Sequence, residues 1–212
     1  MAEKPLNRRD QILEEATGLF SEKGYDGTSI RVIARACGIS EAAIYRHFDN
    51  KVQLYGAVIG RKASEHDISG YLQKHNRGDI EAVLTTIAQH ILSYIETDPE
   101  LLRLMFNNSL ESGPVAAVLF KEFRLPYIKF LAGELERRMA AGEVRVVDPY
   151  ITGRCFIGMV VDCALSAGVW PKITEFKFNA GDVICNNVPI FARGLRTETD
   201  RDQAQPQHGS NT

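Results

Sequence analysis

The chain is poor in the features that mark metal-bound, disulfide-stapled or membrane-embedded proteins. Its 212 residues hold four cysteines, Cys37, Cys155, Cys163 and Cys185. None forms a C-x-x-C pair or neighbours a histidine cluster, which argues against zinc and fits reduced thiols. The five histidines, His47, His66, His75, His90 and His208, are scattered. There is no G-x-S-x-G, no H-E-x-x-H and no glycine-rich phosphate loop, so nothing nominates catalytic residues, a metal site or a cofactor. The strongest apolar run, Phe156 to Val161, stops at Asp162, far short of the roughly 18–20 residues of a membrane span. The first residues, MAEKPLN, lack the apolar core of a signal peptide. These absences predict a non-enzymatic cytoplasmic protein with no membrane partner. Strand-like alternation and internal repeats are also missing.

What is present is helical periodicity nearly throughout. Apolar residues are 44% and charged residues 25% of the chain, as in ordinary globular proteins. Ile12, Leu13, Ala16, Leu19 and Phe20 form one stripe, ended by Gly24. A second short helix carries Ile30, Ile33, Ala34 and Cys37. A fourth helix is expected from about residue 51 to 66, after a cap at Asp49 or Asn50. The body is expected to begin with the amphipathic stretch from Ile80 to Ile95. Helices then follow Asp98-Pro99, Gly113-Pro114 and Asp148-Pro149, and a last one spans about 179–196. Pro126 falls inside the stretch opened by Gly113-Pro114 and should kink or break it. The formal net charge is −2, yet residues 1–62 carry ten Lys/Arg against eight Asp/Glu. A slightly basic head on an acidic body suits local contact with nucleic acid.

The densest signal is TSIRVIARACGISEAAIYRHFDNK, Thr28 to Lys51. It reads as two short helices joined by a tight turn. Ala34 allows close approach, Gly38 supplies the positive φ of the turn, and Ile39 with Ile44 fills the wedge. Ser40 caps the second helix. Ser40, Glu41, Ala42, Ala43, Tyr45, Arg46 and His47 remain outward. This is the pattern of a helix-turn-helix, motif 29–48, that presents a recognition helix to the DNA major groove.

Residues 8–60, with Ile12-Leu13, Ala16, Phe20, Gly24-Tyr25, Thr28-Ser29, Ile33-Ala34, Gly38-Ile39-Ser40, Ile44-Tyr45, His47-Phe48 and Lys51, resemble the DNA-binding domain of TetR/AcrR-family transcriptional regulators. The resemblance implies an all-α chain. A three-helix DNA-binding head (residues 6–66) precedes a larger helical ligand-binding and dimerisation domain (67–196). The remaining tail, 197–212, is polar and expected to be disordered. The resemblance further implies a homodimer on an inverted-repeat operator and a small-molecule effector. Carried over by position, Thr28 and Arg31 touch phosphate or a groove edge. Ser40, Glu41, Ala42 and Ala43 read bases. Tyr45, His47 and Lys51 contact phosphate. Glu41 departs from the common basic or amide residue. It either accepts from cytosine N4 or only favours the helix dipole, worth about 0.5 kcal/mol.

In the body, polar groups on apolar stretches and the break at Pro126 suggest a cavity. Ile91, Tyr94, Phe106, Asn107, Phe123, Tyr127, Phe130, Met159 and Asp162 are its candidate lining, suited to a mostly apolar ligand. Phe156, Val160, Ala164 and Ala167 on one helix, with Val183, Ile184, Val188 and Phe191 on the last, are the candidate dimer seam. The function expected is a ligand-responsive repressor. The alternative is a small-molecule-binding or protein-interaction scaffold of the same fold without operator binding.

Overall fold

Four short polar side chains start the first four helices. The structure, a computed structural model, describes residues 7–107, 113–169 and 179–197. Residues 198–212 of the expected disordered tail lie outside the described residues. Helix α1 (Arg8–Lys23) is capped by Asn7, α2 (Ile30–Ala36) by Ser29, α3 (Glu41–Tyr45) by Ser40 and α4 (Lys51–His66) by Asn50. In each, the cap side chain accepts the backbone N–H three residues on, satisfying a donor that the helix start leaves unpaired. Between α2 and α3, Gly38 takes φ 65°. Ile39 N–H donates to Ala34 C=O at 2.9 Å and Gly38 N–H to Arg35 C=O at 3.1 Å, the paired bonds of a Schellman stop. Ile12, Ala16, Phe20, Ile33, Ile44, Leu54, Tyr55 and Val58 are wholly buried in the core behind this turn.

The rest of the described chain is mainly helical too. Helices α5 (Ile68–His75), α6 (Ile80–Thr97), α7 (Pro99–Asn107), α8 (Pro114–Leu119), α9 (Leu125–Ala140), α10 (Pro149–Val169) and α11 (Ala180–Leu195) follow. Among the described residues there is no strand, only an isolated bridge between Val144 and Arg196. The all-α class expected from the sequence is the observed one. Helix α5 was not expected. Asp67 creates it by taking a left-handed φ of 38° and ending α4. Its carboxylate then accepts from Gly70 N–H at 3.2 Å, so one residue stops one helix and starts the next.

The expected break at Pro126 takes a specific form. Phe120–Arg124 is a single π-helical turn, and α9 begins directly after it, with Pro126 in its first turn. Leu125 N–H reaches back to Phe120 C=O. The wider turn carries the chain into the proline without splitting the rod in two.

Helix α10 is the centre of the body. Over Pro149–Ala167 it is long and apolar enough to cross a membrane, with mean hydropathy 1.3, which the short run ending at Asp162 did not suggest. Its apolar residues have another use. Phe156, Ile157, Val160, Val161 and Ala164 are buried, and the helix packs on α6 and α9. One face of the helix is thus spent on the core, while Tyr150, Ile151, Arg154, Cys155 and Asp162 remain exposed on the other.

Candidate nucleic-acid interface and effector cavity

The outward face of α3 lies where the turn puts it. Glu41, Ala42, Tyr45, Arg46 and His47 are exposed, as is Ser40 at the cap, and Ala43 is half-buried. Ile44 and Phe48 point inward and hold the helix down, at 0% and 2% exposure. Arg31 is exposed on α2. No side chain of Arg31, Tyr45, Arg46 or His47 has a hydrogen bond or ion pair among the described residues. Tyr45, Arg46 and His47 thus present a phenol, a guanidinium and an imidazole on one short stretch, beside the methyl-sized surface of Ala42. Glu41 sits in the first turn of α3, where a carboxylate is favoured by the helix dipole.

Two expected contact residues are turned inward. Thr28 is fully buried, and its hydroxyl donates to Leu19 C=O at 3.0 Å. It closes the α1–α2 loop from within and offers nothing to phosphate. Ser29, next in sequence and exposed, takes the cap. Lys51 Nζ donates to Tyr25 C=O at 2.9 Å and Thr28 C=O at 3.1 Å. It also lies 3.9 Å from the centre of the Tyr25 ring. Two of its three N–H donors are therefore used on the loop before α2, leaving one for an outside acceptor. Its main task in the fold is to anchor that loop.

The body contains a cavity between α6, α7, the π-turn, α9 and α10. Ile91, Tyr94, Leu102, Met105, Phe123, Arg124, Tyr127, Val161, Ala164 and Leu165 line it. Its free space is about 10 Å³, room for about one water molecule. Of the candidate lining, Ile91, Tyr94, Phe123 and Tyr127 are brought together here. The others are elsewhere. Asn107 Nδ2 donates to Ser21 C=O at 2.8 Å, tying α7 to α1. Met159 faces α11, its sulfur accepting from Asn187 at 3.4 Å. Asp162 is exposed, which removes the cost of burying its carboxylate. Phe106 and Phe130 are half-buried against the core and do not line the cavity. Arg124 was missed by sequence reasoning. The available signal was a guanidinium following Phe123 in an otherwise apolar inner face.

Behind the cavity runs a buried polar chain. Tyr94 and Tyr127 hydroxyls are 2.6 Å apart, and the Tyr127 hydroxyl is 2.8 Å from His90 Nδ1. Tyr71 stacks on His90, ring centres 4.0 Å apart. Burial, reinforced by nearby His66, lowers the pKa of His90 to about 4. A neutral His90 can then accept from Tyr127, which accepts from Tyr94. His66 packs 4.2 Å from Tyr94, and its Nε2 is 3.0 Å from Asp98. Burial disfavours the Asp98 anion, but hydrogen bonds from His66, Leu101 N–H and Lys62 outweigh it and lower its pKa to about 2. Lys62 pairs with Asp98 at 3.2 Å and Glu100 at 2.9 Å. The chain thus runs from the cavity wall to α4.

Comparisons with known proteins agree with this architecture. Residues 12–58 match the family model described as bacterial regulatory proteins, tetR family. The chain is 29% identical over 157 residues to the nucleoid occlusion factor SlmA of Glaesserella parasuis, covering 70% of this chain and 77% of SlmA. It is 26% identical over 169 residues to the transcriptional repressor AcnR of Corynebacterium glutamicum, covering 77% of this chain and 83% of AcnR. Among solved structures, AibR in complex with isovaleryl coenzyme A and operator DNA superposes with a TM-score of 0.63 at 25% identity, over 88% of this chain and 98% of AibR. The helix-turn-helix head, residues 12–58, thus belongs to the tetR family of bacterial regulatory proteins, and the chain as a whole is similar to that family.

Proposed function

We propose that this regulator is a homodimeric repressor, released from an inverted-repeat operator by a mostly apolar small molecule. The observation that carries the reading is the division of labour in α3. Ile44, Phe48 and the Ser40 cap hold the helix, while the side chains of Arg46, His47 and Tyr45 stand outward with no hydrogen bond or ion pair among the described residues. Ser40, Glu41, Ala42 and Ala43 would approach base edges, the small size of Ser40, Ala42 and Ala43 letting the helix sit deep in the groove. Arg31, Tyr45, Arg46 and His47 would contact the backbone. Lys51 would act mainly by fixing the loop, with its third N–H free for a phosphate oxygen. Thr28 leaves the set of contacts. The head, residues 6–66, would then be the DNA-binding domain and residues 67–196 the effector and dimerisation domain.

The relatives lend support at their own level. AcnR is named a repressor, and AibR was solved with both an acyl coenzyme A and operator DNA. The cavity between α6, α7, α9 and α10 is the proposed effector site, and it would open on binding. The dimer seam is reassigned. Phe156, Val160, Ala164, Val183 and Val188 are buried within the single chain, while Ala167, Ile184 and Phe191 are half-buried, which favours a seam further out on the same two helices. The outer stripe of Ile151 (61% exposed) and Ile190 (63% exposed), with exposed Cys155 and Asn186, is the available apolar face.

A mobility-shift titration on DNA upstream of the chain's own gene tests the reading. A retarded band that a double Arg46→Ala/His47→Ala variant loses is expected. A folded protein that shifts no DNA with sequence preference would favour the scaffold alternative.

A further inference from the structure

Among the described residues, the partly buried cations of α4 and the helical body have partners, with one exception. Arg61 pairs with Glu65, Lys62 with Asp98 and Glu100, Arg138 with Glu143 and Glu134, and Arg196 with Asp79 and Glu81. Arg124 is half-buried and lines the cavity. Among the described residues its side chain has neither a hydrogen bond nor an ion pair. The field around it is no remedy. Arg154 is its like-charged neighbour, Asp162 acts on it only at a distance, and burial lowers its pKa below the ordinary arginine value. Arg154 itself has no ion partner among the described residues, and its guanidinium lies 5.4 Å from the centre of the Phe120 ring. Two unpaired guanidinium groups therefore flank the π-turn beside an apolar cavity. An uncompensated charge in such a place costs stability, and π-turns are frequent at functional sites.

We propose that the effector is an amphiphile with an aliphatic chain and one anionic headgroup, the headgroup bound by Arg124 with Arg154 as the outer cation. The inference rests on the ligand-responsive reading above and adds the chemical class of the ligand. The chain would enter between Ile91, Leu102, Met105, Phe123 and Leu165. The present space holds only about one water, so the chain must displace side chains. Half-buried Met105, unbranched and with many rotamers, is the one best suited to yield. The planar guanidinium suits the two-oxygen geometry of a carboxylate or phosphate.

The test uses three probes of equal chain length, decanoate, decyl phosphate and 1-decanol, titrated calorimetrically into the full chain. Wild type is expected to bind one or both anions about tenfold or more tightly than the alcohol, the worth of a charge-assisted hydrogen bond. The better of the two anions identifies the headgroup. Arg124→Gln should remove the preference and leave decanol binding unchanged, while Arg124→Lys should keep part of it. Ligand-free Arg124→Gln should melt no lower than wild type, because it relieves an unpaired charge. Equal binding of alcohol and anions, a preference that survives Arg124→Gln, no binding of any probe, or a marked drop in the melting temperature of Arg124→Gln would each overturn the proposal. Operator mobility shifts with the same probes separate the two ideas. Arg124-dependent anion binding that leaves operator affinity unchanged keeps the site and sinks the ligand-responsive reading. Release from DNA by decanol alone does the reverse.

Discussion

At the scale of single residues, the direction of a side chain decides its role more than its type does. Thr28 and Ser29 are adjacent, both short hydroxyls and both suited to a helix start. Only the backbone assigns one to the cap and one to the interior, so the sequence alone could not separate them. Lys51 was legible as a key residue, but its inward contacts were not. A side chain with four methylene groups reaches either way. Lys51→Met should leave the Tyr25 and Thr28 carbonyls without their shared donor and lower stability by about 1–3 kcal/mol. Arg46→Ala should change stability by less than about 0.5 kcal/mol while weakening operator binding. Urea unfolding of both variants checks this, and an unchanged midpoint for Lys51→Met would remove its anchoring role. His90 makes stability depend on pH. Its folded pKa is about 4 against an ordinary 6.5, so between these values the unfolded chain takes up a proton that the folded chain refuses. Stability is therefore full above pH 6.5 and falls as the pH drops toward 4. Asp98, lowered from 3.8 to about 2, adds a further loss below that. From pH 7 to 5 the His90 contribution should fall by about 1–2 kcal/mol. Unfolding curves should show a smaller change for His90→Gln than for wild type; parallel curves would exclude His90 as the source.

Elements were legible wherever a chemical stop or start was written in the chain. Asn7, Ser29, Ser40 and Asn50, Gly24 and Gly38, and the prolines at 99, 114 and 149 all mark helix ends. Helix α5 was not legible because its boundary is a non-glycine residue in left-handed conformation, which no composition rule flags. The apolar stripe of α11 was seen, but not which neighbour it serves. Its inner face goes to α6, since a stripe records burial and not the identity of what covers it. This has a direct test. Val188 is 2% exposed and Ile190 63% exposed, two positions apart on one helix. Val188→Glu should destabilise the fold itself by several kcal/mol, roughly 3 or more. Ile190→Glu should leave the fold intact and shift sedimentation toward monomer. A dimer undisturbed by Ile190→Glu would place the seam elsewhere.

For the whole molecule, the proposed ligand response requires that the cavity communicate with the recognition helix. Two of the polar links that cross from body to head bear on this. One is the polar chain from Tyr127 and Tyr94 through His66 and Asp98 to Lys62 on α4. The other is Asn107 of α7 bonded to Ser21 of α1. Helix α7 also contributes Leu102 and Met105 to the cavity wall, so a ligand that moves α7 pulls on α1. Asn107→Ala should therefore leave ligand-free operator affinity near wild type and reduce the loss of affinity on adding effector. Mobility shifts with and without ligand measure it, and an undiminished response would assign the coupling to other contacts. With Arg31 and Arg46 as the outward cations of each subunit, log affinity should fall against log salt with a slope of about −4. A slope near zero with retained sequence preference would contradict an electrostatic share in binding.

The way α3 is fastened has a consequence for how such a protein could change its target. Ile44, Phe48, the Ser40 cap and the loop pinned by Lys51 hold this five-residue helix from behind. The outward side chains at 41, 42, 45, 46 and 47 contribute little to keeping it folded. Sequence drift at those positions would thus be nearly free of a folding penalty, and a new operator preference could be acquired, or selected from a randomised library, without a compensating change in the core.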